Sequence, residues 1–382
     1  MSNLTESDFI NQIIENYKIG IKHQEILNYA KGAHWNNAHN KIDSKKIIDH
    51  EVIKNFRFNK TLSYGLDDSE KSKDLIYLLG KSKEWNIDNK FLQNNLPKEN
   101  IGNNNNSTKF LDYFFDNNEL QHIKWANDLI KKVDSNKIKS ICEIGGGYGS
   151  FARIILNNIN AKYFLIDFPE ANLISSFYLK SHFPKKKFFM YGEKNKNITD
   201  KDLSENDIFI FPPWIIKDLN NIIKIDLFIN THSFMEMPKK NIEEYFNFIH
   251  KRVSENGYFL NVNRYRKETS GESIRFSKYP YDSYWDCIIS HRCHTRFNVH
   301  FLLTQRKIEN IEKKINEELK KIVPCETNSY NSKEYLIFSN IPLIRKLEFY
   351  FRKFSKLILI KLFGVKLLNR IGLKLYLIKN KN

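Results

Sequence analysis

A short apolar run that ends in a glycine-dense turn constrains the fold of this chain more than any other feature. The segment starts at Lys139 and reads KSICEIGGGYGSFAR. Glycines after a strand let the backbone turn tightly and approach a ligand that a Cβ atom would exclude. The N-terminus of a following helix adds backbone N–H groups that face the ligand. The segment therefore predicts a strand, a ligand-binding glycine loop and a helix.

The spacing within this loop bears on which ligand it binds. Glu143 stands two residues before Gly145, and Gly147 and Gly149 follow at alternate positions. A dinucleotide-binding loop prefers Gly-x-Gly-x-x-Gly, and its last glycine is replaced here by Ser150, so the dinucleotide interpretation is weaker but stays open. A carboxylate at this place suits a cationic sulfonium that carries an ammonium group better than it suits a pyrophosphate. The loop therefore favours S-adenosylmethionine as the cofactor.

A second acidic residue follows the next predicted strand. Asp167 lies in the segment LIDFPEAN, at the end of a strand, where a carboxylate can accept hydrogen bonds from both ribose hydroxyls. The alternative for Asp167 is a helix N-cap ahead of Pro169, and the alternative for Glu143 is a surface carboxylate.

Short apolar runs alternate with helix-length segments through the middle of the chain. Strands are predicted at 140–144, 163–166, 187–191, 208–211, 226–230 and 258–262, and helices at 110–133, 151–158, 169–181 and 240–253. This alternation is typical of a doubly wound, mostly parallel, Rossmann-like α/β sheet. Two further strand-like runs within 286–303 predict an antiparallel hairpin at the sheet edge.

Three regions are predicted along the 382 residues. Residues 1–105 show helical apolar spacing and are expected to form a mostly helical cap, with the polar run 103–106 near its end. Residues 106–340 are expected to form the cofactor-binding domain, and residues 341–382 a basic helical tail. A hydrophobic content of 41% excludes a wholly disordered or collagen-like chain.

The positive charge is concentrated in the tail. The net charge is +17, and residues 341–382 contain 11 basic residues against one acidic residue, Glu348. Nucleic-acid binding by the rest of the chain is therefore not expected. The tail is either an amphipathic helix on an anionic membrane surface or a helix packed on the protein's own core.

Membrane spanning and secretion are not expected. Lysines interrupt the most apolar part of the tail, so no run reaches the roughly 18 apolar residues that a span needs. Four scattered cysteines and an N-terminus without a signal pattern predict a cytoplasmic protein, which the tail would allow to lie at the inner membrane face. The oligomeric state is not predicted.

The chain resembles the class I, Rossmann-like S-adenosylmethionine-dependent methyltransferases. It is most similar to bacterial sugar O-methyltransferases of surface-polysaccharide synthesis. The segments that carry the resemblance span about residues 105–308 and are ICEIGGGYGSFAR, LIDFPEAN, INTHSFMEMP, LNVNRYRK and YPYDSYWD.

The resemblance implies roles for individual residues. Glu143 and the three glycines would hold the methionine and ribose portions, Asp167 the ribose hydroxyls, and Phe168 would lie near adenine. Pro212 and Trp214, in the segment FPPW, would form an apolar wall for adenine or, alternatively, a rigid loop with Trp214 in the core. The stretch 192–206, between the third and fourth predicted strands, is longer than this pattern expects, so the assignment of the adenine pocket stays undecided.

Methyl transfer to a hydroxyl needs a base to take the hydroxyl proton. His232 follows a predicted strand at the carboxyl end of the sheet and is the expected base. Glu236 is the alternative base, or it orients the histidine. If neither residue is catalytic, His232 contacts the cofactor and Glu236, in the first turn of a helix, interacts favourably with the helix dipole. Arg264 and Tyr265 are expected to bind a sugar or an acidic group on it, with surface solvation as the alternative.

No metal site is predicted. Cys293 lies among His291, His294 and His300, but alternate residues of a strand face opposite sides, so these side chains need not converge. A magnesium site would need three converging carboxylates, and the sequence does not single them out.

The predicted function is therefore O-methylation of a sugar acceptor, either a small nucleotide-linked sugar or a lipid-linked one. Methylation of another small molecule or of RNA, and a binding scaffold without activity, are the alternatives. The intact Glu143, glycines and Asp167 argue against the scaffold.

Overall fold

The computed structural model describes residues 5–27, 29, 31–32, 35–36, 46–58, 74–192, 198–219, 224–268, 272–296, 298–309 and 314–322. The tail at 341–382 and Cys325 lie outside these residues, so the predictions made for them stay predictions. Within the described part of the chain, no helix combines the length and apolarity needed to cross a membrane.

Helices dominate the described residues before position 105. They are α1 (Glu6–Ile26), α2 (His50–Lys54), α3 (Leu75–Glu84) and α4 (Asn89–Asn95). The Thr5 hydroxyl caps α1 by accepting from the Asp8 N–H at 3.2 Å, and the Asp8 carboxylate accepts in return from the Thr5 N–H. Phe9, Ile10 and Ile13 form the buried face of this helix.

The expected helix at 110–133 begins later than the apolar spacing predicts. Strands β1 (Thr108–Phe110) and β2 (Tyr113–Phe115) form an antiparallel hairpin, with Leu111 at φ +53° in its turn. Helix α5 (Asn117–Ile130) starts only after Asp116, whose side chain accepts from the Glu119 N–H at 2.9 Å. The prediction is wrong for the first residues because a turn and an N-cap interrupt the helical periodicity.

The central sheet is built from eight strands of the described chain. In chain order, its elements and their connecting helices are β3 (Ser140–Ile144), α6 (Ser150–Asn158), β4 (Lys162–Ile166), α7 (Pro169–His182), β5 (Phe188–Met190), α8 (Asp200–Glu205), β6 (Ile208–Phe211), β7 (Ile225–Thr231), α9 (Lys239–Arg252) and β8 (Val253–Arg264). A small hairpin, β9 (Arg266–Lys267) with β10 (Ile274–Arg275), precedes β11 (Trp285–Arg292), β12 (Val299–Arg306) and α10 (Lys314–Lys321).

The strand order is β11-β12-β8-β7-β3-β4-β6-β5. The strands from β8 to β5 pair in parallel, and β11 and β12 add an antiparallel hairpin at one edge. This confirms the expected Rossmann-like, doubly wound, mostly parallel sheet and its edge hairpin. The stretch 192–206 includes α8, while its residues 193–197 lie outside the described chain.

Each face of the sheet is covered by its own apolar cluster. Alternate residues of a strand point to opposite faces, so Ile141 and Leu165 belong to one cluster and Cys142 and Phe164 to the other. The first cluster contains the buried residues of α1, α5, α6 and α7, and the second those of α9 and α10. The N-terminal helices thus share a core with the sheet, and the division at residue 105 stays a prediction.

The order of the strands indicates where a ligand site is expected. From β3 the chain proceeds outward to β4 on one side and later returns to β7 on the other side. The loops that follow β3 and β7 therefore meet at the carboxyl edge of the sheet, beside the crevice where open α/β sheets bind their ligands. The glycine loop and His232 lie in these two loops.

Candidate cofactor and acceptor site

The glycine loop adopts backbone angles that disfavour other residues. Gly145, Gly147 and Gly149 have φ values of +75°, +56° and +91°, in the left-handed region, and Gly149 is the N-cap of α6. A Cβ atom on Gly145 would lie 2.2 Å from Ser233 Oγ, whereas one on Gly147 would meet nothing within 4 Å. The loop is therefore packed against the loop after β7 at Gly145 and open at Gly147.

Glu143 lies buried beneath this loop. The Tyr163 hydroxyl donates to Glu143 Oε2 at 2.7 Å, and the buried Oε1 atom has no hydrogen-bond partner. Burial raises the pKa of Glu143 to about 7, and the bond from Tyr163 opposes this shift only in part. A buried carboxylate oxygen without a partner is costly unless a ligand completes it.

Asp167 follows β4 and links it to the glycine loop. Its carboxylate accepts from the N–H groups of Gly147 at 2.8 Å and of Phe168 at 2.7 Å. Burial raises the pKa of Asp167 to about 7 despite these two bonds. Each oxygen retains a second lone pair, so the carboxylate can still accept from hydroxyl groups of a ligand.

A cleft opens beside Asp167. Four of the sequence-predicted residues line it, namely Gly145, Asp167, Phe168 and Glu236. Tyr29 and Trp35 also line it, and their rings lie 6.5 and 6.3 Å from that of Phe168. The sequence did not single out these two aromatic residues, because nothing local connects them to a loop more than 130 positions away.

The segment FPPW contributes to the cleft through a different residue from those predicted. Pro213 lines it, while Pro212 lines a neighbouring pocket between α1 and α7. Trp214 is buried and donates its Nε1–H to the Tyr191 hydroxyl at 3.0 Å. Its ring lies 5.6 Å from that of Tyr29, so it supports the cleft wall from behind.

A network of buried asparagines holds the loop after β7. Asn230 donates to the Ile144 carbonyl at 2.9 Å and to Ser233 Oγ at 2.6 Å, and Asn263 donates to Asn230 Oδ1 at 2.8 Å. The same Oδ1 atom accepts from the Phe234 N–H at 3.2 Å. These bonds tie the end of β3 to the ends of β7 and β8. Neither asparagine was a predicted site residue.

His232 lies in this loop with φ +62°. Its ring centroid is 5.1 Å from that of Trp125, and its buried Nε2 atom has no hydrogen-bond partner. Burial, reinforced by Arg296, keeps the pKa of His232 well below its usual value. The imidazole is therefore neutral at physiological pH, which is the form that accepts a proton.

Glu236 forms an ion pair with Lys267. Both side chains are largely buried, at 15% and 7% exposure, and Glu236 Oε1 accepts from Lys267 Nζ. Burial lowers the pKa of Lys267, and the adjacent carboxylate opposes that shift. Glu236 therefore borders the cofactor cleft as a partner of Lys267.

Arg264 and Tyr265 lie in different surroundings. Tyr265 shares a hydrogen bond of 3.2 Å with His300 Nδ1, and its ring packs edge to face on that imidazole. Arg264 is half-buried, its backbone N–H donates to Met235 Sδ, and its charge acts on His232. Of the two, Arg264 is the one close to the expected base.

A second histidine, missed by the sequence analysis, also contacts Trp125. The His122 ring is 5.3 Å from that of Trp125, and its Nδ1 atom shares a 2.9 Å hydrogen bond with Ser150 Oγ at the start of α6. Burial lowers the pKa of His122 to about 3. No sequence motif surrounds it, so only the fold identifies it.

Buried ion pairs support the glycine loop from below. Arg57 pairs with Asp116 and Arg153 with Glu119, each at 2.7 Å, and Ser150 Oγ donates to Glu119 Oε1 at 3.3 Å. These contacts join the N-terminal region to the first turn of α6.

The described residues contain no group of three potential metal ligands. The rings of His291 and His294 come within 5.0 Å of each other, but Cys293 Sγ accepts from Trp125 Nε1 at 2.9 Å. His300 is bonded to Tyr265 and Ser290.

No protein-family model and no curated protein matches the sequence. Three solved structures that are similar to this chain are methyltransferases. A mitomycin 7-O-methyltransferase has a TM-score of 0.35 and 14% identity, over 50% of this chain and 57% of that one. A magnesium protoporphyrin IX methyltransferase from Synechocystis PCC 6803, solved with bound S-adenosylmethionine, has a TM-score of 0.33 and 11% identity, over 50% of this chain and 80% of that one. An O-methyltransferase family protein from Burkholderia thailandensis has a TM-score of 0.35 and 9% identity, over 50% of this chain and 59% of that one.

The match therefore spans less than two thirds of the first and third of these structures. At scores and identities this low, the function has to be argued from the residues of the site.

Proposed function

We propose that this protein is an S-adenosylmethionine-dependent O-methyltransferase that acts on a sugar hydroxyl. The observation that carries the proposal is the buried Glu143, whose Oε1 atom lacks a partner directly beneath a glycine loop bridged to Asp167. A cationic cofactor with hydroxyl and ammonium donors would give Glu143 Oε1 a partner and Asp167 further donors.

The residues present fit this cofactor. The open side of Gly147, where even a Cβ would meet nothing within 4 Å, allows a ligand to approach the backbone. Asp167 accepts from ribose hydroxyls, and the aromatic residues Tyr29, Trp35 and Phe168 offer apolar surface for adenine. When bound, S-adenosylmethionine supplies a methyl group on a sulfonium, which an oxygen nucleophile takes by in-line displacement.

His232 is the proposed general base. It lies in the loop that packs on Gly145 through Ser233, so the acceptor side and the cofactor side of the crevice share one wall. Its neutral Nε2 atom would take the hydroxyl proton as the oxygen lone pair bonds to the methyl carbon and the carbon–sulfur electron pair leaves with the neutral thioether. The cost of charging the imidazole among Arg264, Arg296 and Lys267 favours an acceptor that offsets these cations.

The sugar class, surface-polysaccharide synthesis and the cytoplasmic location belong to the proposal. The support for the sugar class is the resemblance of the segments around His232, Arg264 and Tyr281 to sugar O-methyltransferases. If the acceptor is lipid-linked, the basic tail at 341–382 docks the enzyme on the membrane surface. Sedimentation with anionic liposomes, with and without the tail, tests this; equal and negligible binding of both forms contradicts it.

Calorimetric titration with S-adenosylhomocysteine, with NADH as the competing class of ligand, tests the cofactor assignment. Micromolar binding of S-adenosylhomocysteine alone supports the proposal and justifies a screen of nucleotide sugars as acceptors. Binding of NADH alone assigns the site to a dinucleotide, and binding of neither favours a scaffold. Cofactor binding without turnover on sugars, other small molecules or RNA also points to a scaffold.

A further inference from the structure

Two arginines, Arg264 and Arg296, lie near enough to His232 to act on its charge. Arg264 is the last residue of β8 and lies opposite Val299 in the β8–β12 register, and the Val299 N–H donates to the Arg296 carbonyl at 3.1 Å. The strand pairing thus brings the backbones of Arg264 and Arg296 together at the carboxyl edge of the sheet.

The loop that carries Arg296 is fixed in place on helix α5. Arg296 Nε donates to Gln121 Oε1 at 2.7 Å, and Trp125 Nε1 donates to Thr295 Oγ1 at 3.1 Å. The Trp125 ring contacts His232. The loop, helix α5 and His232 therefore form one wall. The hydrogen bond to Gln121 fixes the Arg296 side chain in this wall.

The side chains around His232 are half-buried. His122, His232, Arg264 and Arg296 all retain partial exposure, so a ligand at the surface can reach them. The Arg264 Nε atom is itself buried and has no hydrogen-bond partner among the described residues. A ligand oxygen would supply the acceptor that this buried guanidinium N–H lacks.

Three carboxylates near His122 and His232 in the sequence are paired with other cations. Asp116 pairs with Arg57, Glu119 with Arg153, and Glu236 with Lys267. The electrostatic effect of Arg296 reaches both His122 and His232, and that of Arg264 reaches His232. The two arginines therefore place positive charge near His232.

We propose that the acceptor carries an anionic group, a carboxylate or a phosphate, that Arg264 and Arg296 bind beside His232. This inference rests on the proposed function, since it names the acceptor class of the same site. A guanidinium matches both groups with two parallel N–H donors. The bound anion also stabilises the imidazolium that forms when His232 takes the hydroxyl proton.

Binding of matched probes tests this inference without an activity assay. Glucose, glucuronate, glucose 1-phosphate and inorganic phosphate are titrated into the wild-type protein, with and without saturating S-adenosylhomocysteine. We expect at least one anionic probe to bind ten times more tightly than glucose, and to weaken as salt is added. A preference for glucuronate identifies a carboxylate, and a preference for the phosphates identifies a phosphate.

The variants Arg264→Gln and Arg296→Gln should each lose this preference and keep their affinity for S-adenosylhomocysteine. Arg275→Gln, at an exposed arginine of β10, is the matched control and should behave as wild type. Equal binding of neutral and anionic probes overturns the inference. So does a loss of S-adenosylhomocysteine affinity in both variants, because the arginines would then hold the cofactor's carboxylate. Failure of the wild type to bind S-adenosylhomocysteine overturns the proposed function instead, and the titrations without it still decide whether Arg264 and Arg296 bind anions.

Discussion

Tyr163 donates its hydroxyl hydrogen to Glu143 Oε2 at 2.7 Å, across the adjacent strands β3 and β4. The bond orients the carboxylate but satisfies only one of its two oxygens. Glu143 is fully buried, so its charged form is disfavoured until a cation or donor contacts it. The molecule thus carries a destabilising feature at the place where a cofactor would relieve it.

Replacing this carboxylate should stabilise the free protein and weaken cofactor binding. The pKa of Glu143 is raised to about 7 in the folded protein. Its contribution to stability is therefore complete below the unfolded pKa and is lost as the pH rises through 7. We expect Glu143→Gln to raise the free energy of unfolding by about 3 kcal/mol at pH 8 and by little at pH 5. Urea denaturation without ligand measures this.

The same variant should bind S-adenosylhomocysteine at least tenfold more weakly at pH 8 by calorimetry. Tyr163→Phe is a useful companion, because it keeps the carboxylate but removes its one donor. A Glu143→Gln variant that is no more stable than wild type at pH 8 would show that Glu143 is already compensated in the free protein.

Cofactor affinity in the wild type should rise with pH between 6 and 8. Burial raises the pKa of both Glu143 and Asp167 to about 7, so each carboxylate is partly protonated near neutrality. A cationic ligand favours their ionised forms, and binding at pH 7 should therefore release protons. Calorimetry in two buffers with different ionisation enthalpies counts these protons. Affinity that is constant from pH 6 to 8 contradicts the proposed contact with the carboxylates.

Gly147→Val should abolish cofactor binding because the new side chain fills the open face of the loop. With φ at +56°, the substitution also costs about 1 to 2 kcal/mol of stability. Gly80→Ala is the matched control, since a Cβ there also meets nothing within 4 Å but lies on helix α3, far from the site in sequence. That control should bind cofactor normally and gain roughly 0.5 to 1 kcal/mol. Retained affinity in Gly147→Val means that the ligand approaches elsewhere.

Sequence reasoning succeeded where the determinants are local. The strand, glycine loop and helix from Ser140 to Asn158 form one contiguous pattern, and Asp167 follows the next strand. It did not find contacts such as that of Arg296 with Gln121, which are 175 positions apart. Such contacts depend on strand order and register, which a single sequence does not contain. The start of helix α5 was misplaced because the Asp116 cap outweighs the apolar spacing that precedes it.

His232 should be needed for turnover and not for cofactor binding. His232→Asn is the suitable variant, because asparagine tolerates the positive φ that alanine would strain. With an acceptor from the screen, we expect kcat to fall roughly 10²- to 10⁴-fold and S-adenosylhomocysteine affinity to stay within a few fold. His122→Asn is the comparison. If kcat fell by this amount in His122→Asn and not in His232→Asn, His122 would be the base instead.

The pH response of His232 gives a separate check on its environment. Its pKa is held well below 6.5 by burial and by Arg296, so the free enzyme should keep a neutral imidazole at pH 6. Proton NMR titration of the ring, assigned by its loss in His232→Asn, measures this directly. Titration near 6.5 would contradict the buried environment described for the ring.

The buried asparagines should control the loop that carries His232. Asn230→Leu removes the acceptor of the Phe234 N–H and the donor to the Ile144 carbonyl inside a site with 0% exposure. Leaving buried polar groups unpaired costs about 2 to 4 kcal/mol of unfolding free energy. Because these bonds also hold the loop after β7, kcat should fall as well, even in protein that is fully folded.

Asn95→Leu is the matched control: Asn95 is equally buried and bonds Phe91 and Asn158 on α4 and α6. A comparable loss of stability in Asn95→Leu with unchanged kcat separates loop positioning from stability alone, whereas a parallel fall in kcat in both variants would reduce the asparagine network to a packing element.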